Sequence, residues 1–231
     1  MFFVIKKKTI ISFICILLLF CGMGVYFGVK SVVAKPNLCP VVLIDAGHGG
    51  IDGGSVGKVS GVTESDLNLI YAKNLANQLK QMNISSVLTR NNNKGLYDSS
   101  AKNLKRSDMS ARKAIIEKYN PTLVVSIHMN SFVNSSARGA QVFYKLNNDE
   151  GKNFADCVQS QLACNLEYAK KTSKVGDYYI VNCTDIPAVL IECGYLSNNE
   201  EELLLQDKNY QNKVCYGILS GIVSYLNKGS F

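Results

Sequence analysis

Histidine occurs twice in this chain of 231 residues, at His48 and His128. His48 stands in Val42-Leu43-Ile44-Asp45-Ala46-Gly47-His48-Gly49-Gly50, and His128 in Leu123-Val124-Val125-Ser126-Ile127-His128-Met129-Asn130. Each apolar run reads as a buried parallel strand. Each imidazole is therefore expected just past a strand's C-terminal end, the edge where open α/β sheets hold their ligands. A lone histidine there is more often a surface or hydrogen-bonding residue than a metal ligand. Two at equivalent strand ends, in a chain with no third, point to shared metal chemistry.

A catalytic zinc commonly takes three protein ligands from His and carboxylate and leaves a fourth position open. Glu64, 16 residues after His48, is the candidate third ligand. Gly49, Gly50, Gly53, Gly54, Gly57 and Gly61 lie between the two and let the chain fold back. Glu64 has a simpler reading too, as a carboxylate in the first turn of a helix that steadies its dipole. The pattern leaves both open. Glu192 ends the apolar run Pro187-Ala188-Val189-Leu190-Ile191-Glu192. A carboxylate closing such a strand is costly unless paired or functional. It suits a general base that takes a proton from attacking water and passes it to a leaving amine. The alternative is an ion pair with Arg90 or Arg112.

The elements that must position these groups alternate along the chain. Strands are expected over 41–45, 84–89, 122–127, 140–146 (an edge strand), 178–182 and 189–192. Helices are expected from Thr63 to about Met82, from about Ser107 to Tyr119, and over 149–167 and 208–227. Thr63-Glu64-Ser65-Asp66 has the form of a capping box, and Leu67, Ile70, Tyr71, Leu75 and Leu79 form an apolar stripe behind it. Asn120-Pro121 stops the second helix. This alternation predicts an α/β fold: a single domain with a mostly parallel twisted sheet of about six strands and helices on both faces.

A hydrophobic fraction of 47% and a charged fraction of 19% fit a globular protein with an added apolar segment. The net charge of +7 is unevenly placed. Residues 1–40 carry Lys6, Lys7, Lys8, Lys30 and Lys35 without an acid, so the remainder is close to neutral and offers no concentrated basic face for nucleic acid. There is no Trp, which excludes a carbohydrate platform built on indole, although 12 Tyr could substitute.

Lys6-Lys7-Lys8 precede an uncharged stretch from Thr9 to Val29, as in a membrane anchor or export signal. Val32-Val33-Ala34 allows cleavage after Ala34, but the length of the stretch favours an uncleaved anchor. The domain reading is 1–35 signal or anchor, 36–40 linker and 41–231 catalytic domain. Of eight cysteines, Cys15 and Cys21 lie in the apolar stretch. The rest (Cys39, Cys157, Cys164, Cys183, Cys193, Cys215) form no Cys-x-x-Cys pair and read as mostly buried small hydrophobes, their redox state left open. Cys157 and Cys164 are expected to share a helix face.

These motifs together resemble the zinc-dependent N-acetylmuramoyl-L-alanine amidases often called amidase family 3. The matching residues are Asp45-Ala46-Gly47-His48-Gly49-Gly50 with Asp52 and Gly54, and Gly61-Val62-Thr63-Glu64. Thr89-Arg90, Arg112, Ser126-Ile127-His128-Met129-Asn130 and Gly139-Ala140-Gln141-Val142-Phe143-Tyr144 follow. Pro187 to Asn198 completes the set, which spans about residues 41–227. The resemblance implies that His48, Glu64 and His128 bind Zn2+ and that Glu192 is catalytic. It implies hydrolysis of the amide between the lactyl group of muramic acid and L-alanine of the peptidoglycan stem peptide. Asp52, Arg112 and Asn130 are implied as supporting or substrate residues. Cys193, where the family commonly has a less polar residue, should point away from Glu192. Many relatives carry wall-binding repeats or a blocking helix, for which this chain has no room. A small anchored form resembles the spore-cortex, germination-specific amidases, which act on the way to muramic-δ-lactam. That places the protein outside the cytoplasmic membrane or, in a spore former, between the forespore membranes. With no wall-binding module, an activating protein partner that supplies affinity and orders the Gly-rich loop is expected. The alternatives are a wall-acting zinc peptidase or deacetylase, a non-catalytic wall-binding module, and a hydrolase using Cys193 with His128.

Overall fold

The computed structural model describes Lys7 and residues 40–228. All but one residue of the expected anchor, the linker before Pro40, and Cys15, Cys21 and Cys39 lie outside these residues. Among the described residues no helix is long and apolar enough to cross a membrane.

The chain alternates as expected. Strand β1 (Val41–Ala46) leads to helix α1 (Glu64–Gln81), β2 (Ser85–Leu88), α2 (Leu104–Tyr119) and β3 (Leu123–Asn130). Then come β4 (Gln141–Tyr144), α3 (Asp149–Asn165), β5 (Lys174–Val175) and the short α4 (Tyr179–Asn182). The chain continues through β6 (Ala188–Tyr195), α5 (Asn199–Gln206) and α6 (Lys208–Lys228). Among the described residues the sheet has six strands in the order β2-β1-β3-β6-β4-β5. β2, β1, β3 and β6 are mutually parallel, β4 runs antiparallel to β6, and β5 follows β4.

The two-residue period of the strands sorts their side chains into two cores. Val42, Ile44 and Ala46, Leu123, Val125, Ile127 and Met129, and Val189, Ile191 and Cys193 join the larger core with α1, α3 and α6. Leu43, Val124, Ala188 and Leu190 face a smaller core with Ile116 of α2 and Ile180 and Val181 of α4. Helices therefore cover both faces. Each fully buried branched side chain contributes roughly 1.5–3 kcal/mol. By the same period, Asp45, Ser126, His128 and Glu192 belong to the smaller-core face, at its C-terminal edge.

Helix α1 starts where its cap predicts: Thr63 Oγ1 accepts the Asp66 N–H (3.3 Å) and donates to Asp66 Oδ2 (2.7 Å). Its buried stripe is Leu67, Tyr71, Ala72, Leu75 and Leu79. Ile70 was expected in it but is 44% exposed, because it lies about 100° round the helix from Tyr71.

Other expectations need correction. Within the expected strand 178–182, Tyr179–Asn182 form α4 instead; adjacent Ile180 and Val181 are both buried in one core, which a strand's alternation would forbid. β4 is not an edge strand, because β5 pairs along its outer side. Helix α2 starts three residues earlier than Ser107, capped by Asn103 accepting the Arg106 N–H (2.8 Å). Helix α5 was not anticipated, although Asn198 caps it by accepting the Glu201 N–H (3.0 Å). Cys157, Cys193 and Cys215 are buried as expected, while Cys164 is exposed in the last turn of α3; all these and Cys183 are free thiols.

Candidate metal centre and active site

The loop after β1 carries His48 in a left-handed backbone conformation, φ +60°. A non-glycine residue there costs roughly 1–2 kcal/mol, so the surrounding contacts must impose it. Two buried arginines do so. Arg90 donates to Ala46 O (2.9 Å), to Gly47 O (2.9 Å) and across to Ser65 O (2.8 Å). Arg112 donates to Ala46 O (2.9 Å) and His48 O (2.7 Å), and by its other edges to Asp108 Oδ2 (2.7 Å) and Asp45 Oδ1. Asp45 closes the network by accepting from Thr89 (2.8 Å) and Ser126 (2.7 Å). Burial opposes ionisation of Asp45, but Arg112 and the two hydroxyls outweigh it and hold its carboxyl below the usual range.

The side chains then converge. His48 Nε2 lies 3.1 Å, and His128 Nδ1 2.9 Å, from the same atom, Glu64 Oε1. The two rings meet edge to face with centroids 5.1 Å apart. The opposite nitrogen of His48, Nδ1, is held by Asp52 Oδ1 at 2.9 Å, and Asp52 Oδ2 accepts from Lys105 (2.6 Å). Glu64 is nearly buried; its Oε2 accepts the Ser55 N–H (2.9 Å). Burial raises the Glu64 carboxyl, but the hydrogen bonds from His128 and His48 draw it far below its ordinary value. The same contacts, working against burial, raise His48. Two glycines make the approach possible: a Cβ on Gly47 would lie 2.3 Å from the His128 ring, and one on Gly54 2.5 Å from Glu64 Oε2.

His128 was expected past the end of its strand and instead lies within β3. It pairs in register with Glu192 of β6, and the ladder shifts immediately afterwards, between His128 and Asn130. The pairing resumes, shifted by one residue, at Asn130 with Tyr195, so the irregularity follows directly on the His128–Glu192 pair. Glu192 therefore stands beside His128 on the same sheet face. It is 8% exposed, and its Oε2 has no hydrogen-bond partner. Burial, with Glu64 adding to it and the two histidines opposing, pushes its carboxyl up to about 7.

The contacts bear on the alternative readings of single residues. Arg90 and Arg112 bind the β1 loop and Asp45, not Glu192. Glu64 occupies the first turn of α1 and also meets both histidines. Cys193 is wholly buried on the opposite face, and burial raises its thiol well above the ordinary value, which leaves no thiolate nucleophile for His128. Asn130 contributes its carbonyl, which accepts the Leu196 N–H (2.8 Å). The sequence reading overlooked Asp45 and Asp108 as anchors of Arg112, and Glu202, whose buried carboxylate accepts the Val59 and Ser60 N–H groups (2.9 and 2.8 Å) and ties down the Gly-rich loop. Asp45 carried the same signal as Glu192, a carboxylate closing an apolar strand.

His48, Glu64 and His128 offer one ligand atom each, all within 4.8 Å of one another. Two imidazole nitrogens and one carboxylate oxygen form the donor set of a catalytic zinc site; calcium and magnesium favour oxygen alone. A His-Glu-His triad able to hold a metal ion, at a sheet's C-terminal edge and beside a buried, unpartnered carboxyl group, is an arrangement suited to hydrolysis. The family model described as N-acetylmuramoyl-L-alanine amidase (Amidase_3) matches residues 42–224, and the chain belongs to that family.

Its relatives agree. The germination-specific N-acetylmuramoyl-L-alanine amidase of Bacillus subtilis (strain 168) is 32% identical over 192 residues, covering 81% of this chain and 80% of that protein. The CwlD amidase of Clostridioides difficile, solved in complex with the GerS lipoprotein, superposes with a TM-score of 0.78 at 34% identity, covering 82% of this chain and 99% of that one. The catalytic domain of the amidase CwlV from Bacillus (Paenibacillus) polymyxa var. colistinus gives 0.73 at 34% identity, covering 81% and 98%. The activity of the chain is that of an N-acetylmuramoyl-L-alanine amidase.

Proposed function

We propose that His48, Glu64 and His128 hold a zinc ion and that Glu192 is the general base and acid for hydrolysis of the muramoyl–L-alanine amide. The observation that carries this reading is the meeting of His48 Nε2 and His128 Nδ1 at one oxygen of Glu64, with the unpartnered Glu192 Oε2 in register beside them. Zinc bound there supplies a Lewis acid for the amide carbonyl and lowers the pKa of water from 15.7 toward about 7. Asp52 holds His48 Nδ1, which fixes the ring and turns Nε2 toward the centre. Glu192 Oε2 takes the proton of the attacking water, because no donor among the described residues already occupies it. The carboxyl group then returns that proton to the alanine nitrogen, so the amide C–N bond breaks with a neutral amine leaving. A base with its pKa raised toward neutrality performs both transfers efficiently, and burial raises Glu192 in that direction.

The similarity to a germination-specific amidase supports action on spore cortex, on the way to muramic-δ-lactam. It also supports an exported location at the cell wall, with residues 1–35 as the signal or anchor. The lipoprotein bound to the CwlD amidase supports an activating protein partner of that kind.

The test is to digest purified peptidoglycan with the full chain, with and without added zinc, and to identify the new termini. Free L-alanine amino groups, lost on chelation and regained with zinc, are expected. New glucosamine amines, or turnover that survives chelation, would overturn the assignment.

A further inference from the structure

Tyr97 stands between two adjoining clefts beside the metal centre. One, of about 410 Å³, is lined by Ile51, Asp52, Tyr97 and Lys105 among others, and Asp52 is the residue that holds His48. The other, of about 720 Å³, is lined by Asn92, Asn93, Lys94, Tyr97 and Ser99 with the backbone of Gly50 and Gly95. Both volumes fall in the range of small-ligand sites.

The ring is fixed in place. Its hydroxyl accepts the Ile51 N–H (3.2 Å), and a Cβ on Gly95 would lie 2.3 Å from its Cε1. Around it stand side-chain amides, a hydroxyl and an ammonium. Among the described residues, the Ser99 hydroxyl and the Lys94 ammonium make no hydrogen bond to another group of the chain, and the sole bond of the Asn93 side chain is its amide N–H to Asp66 (2.9 Å). An aromatic face ringed by amide and hydroxyl groups matches a pyranose, which presents a C–H face and a rim of hydroxyl and N-acetyl groups. The Lys94 ammonium would also suit a carboxylate of a peptide stem, but the side-chain amides and the Ser99 hydroxyl predominate around the ring and suit a neutral ligand rich in hydroxyl and amide groups. The chain has no Trp, so a tyrosine or phenylalanine must supply any such ring.

We propose that this groove is a glycan subsite, seating an N-acetylated sugar next to the muramoyl unit whose amide is cut. The proposal rests on the amidase reading: the substrate is a polymer, the cut amide lies at the metal centre, and the strand must leave across the adjacent surface. Tyr97 and Ser99 then set preference for polymer over a single sugar, without touching the reacting atoms.

The test uses the full chain and two substrates, peptidoglycan strands and N-acetylmuramoyl-tripeptide. Tyr97→Leu removes the ring, Tyr97→Phe keeps it, and Ser99→Arg fills the cleft without breaking a side-chain hydrogen bond. Tyr97→Leu and Ser99→Arg are expected to raise KM on strands about tenfold, with kcat and the single-sugar substrate within about twofold. Tyr97→Phe should stay close to wild type on both. In parallel, saturation-transfer NMR with N-acetylchitotetraose should show transfer to the sugar from wild type and Tyr97→Phe, lost in the other two. Unchanged KM on strands, equal loss on both substrates, or binding of a free stem peptide and not the tetrasaccharide would overturn the subsite. Failure of the wild type to release L-alanine termini from strands would instead overturn the amidase reading, while the NMR result would still decide whether the groove takes sugar.

Discussion

Glu64 and Glu192 are both buried glutamates within reach of the same histidines, yet their environments drive them apart. Glu64 has donors on both oxygens: His48 and His128 on Oε1, and the Ser55 N–H on Oε2. Glu192 has a wholly buried oxygen with no donor at all. Burial disfavours the charge of each; for Glu64 the hydrogen bonds overcome it, and for Glu192 burial prevails over the attraction of the two histidines. A metal ligand must stay ionised and fixed, whereas a proton carrier must be able to accept and release. Supplying hydrogen bonds to one carboxylate and withholding them from its neighbour suits the two to the proposed roles within one residue type.

The comparison breaks most completely at the ligand side. Glu64→Ala or His128→Ala removes a donor and should abolish stoichiometric zinc binding and all measurable activity, read by metal analysis and amine release. Next in size is the support of the His48 loop. Arg112→Leu leaves Asp45 and Asp108 buried without their cation, and a loss of about 3–5 kcal/mol is expected in urea unfolding. An unchanged midpoint would mean that the loop is held by other contacts. A smaller effect follows from Asp52→Ala, which frees His48 Nδ1. Zinc affinity should fall about 10–100-fold while the fold survives, measured by competition with a chelator.

The same contrast made part of the molecule legible in sequence. His48, His128 and Glu192 could be named because each interrupts an apolar or glycine-rich pattern with a polar group, whereas Glu64 sits in an ordinary capping box and its pattern left a helix-cap reading equally open until the family resemblance. The parallel core strands were legible as apolar runs. Where two adjacent buried residues such as Ile180 and Val181 mimic a strand, local pattern cannot tell one helical turn from extended chain. β5 is two exposed residues, so it carries no hydrophobic signal, and without it β4 reads as an edge. Helix α5 was readable after all in Asn198-x-x-Glu201, but the Glu201 carboxylate does not close the box; it accepts the Gly139 and Tyr195 N–H groups (2.8 Å each). The Arg90 and Arg112 clamps join residues over 40 positions apart, and only the folded sheet brings them together.

The mildest probe is pH. On the proposed mechanism Glu192 is a base only when ionised, so the rate should fall as pH drops through its pKa. Burial sets that pKa at about 7, and a bound dication lowers it, so the acid limb of kcat/KM should lie between about 4.3 and about 7. A rate that stays flat from pH 4 to pH 8 would show that no carboxyl group of this kind limits the reaction.

The most direct test of the division of labour is Glu192→Gln, which keeps the shape and removes the titratable proton. Zinc content and L-alanine release should be measured on the same preparation beside wild type. The account predicts zinc binding equal to wild type and activity reduced by about 10²–10⁴-fold. Loss of zinc would make Glu192 part of the metal site, and retention of activity with zinc bound would place the proton carrier elsewhere.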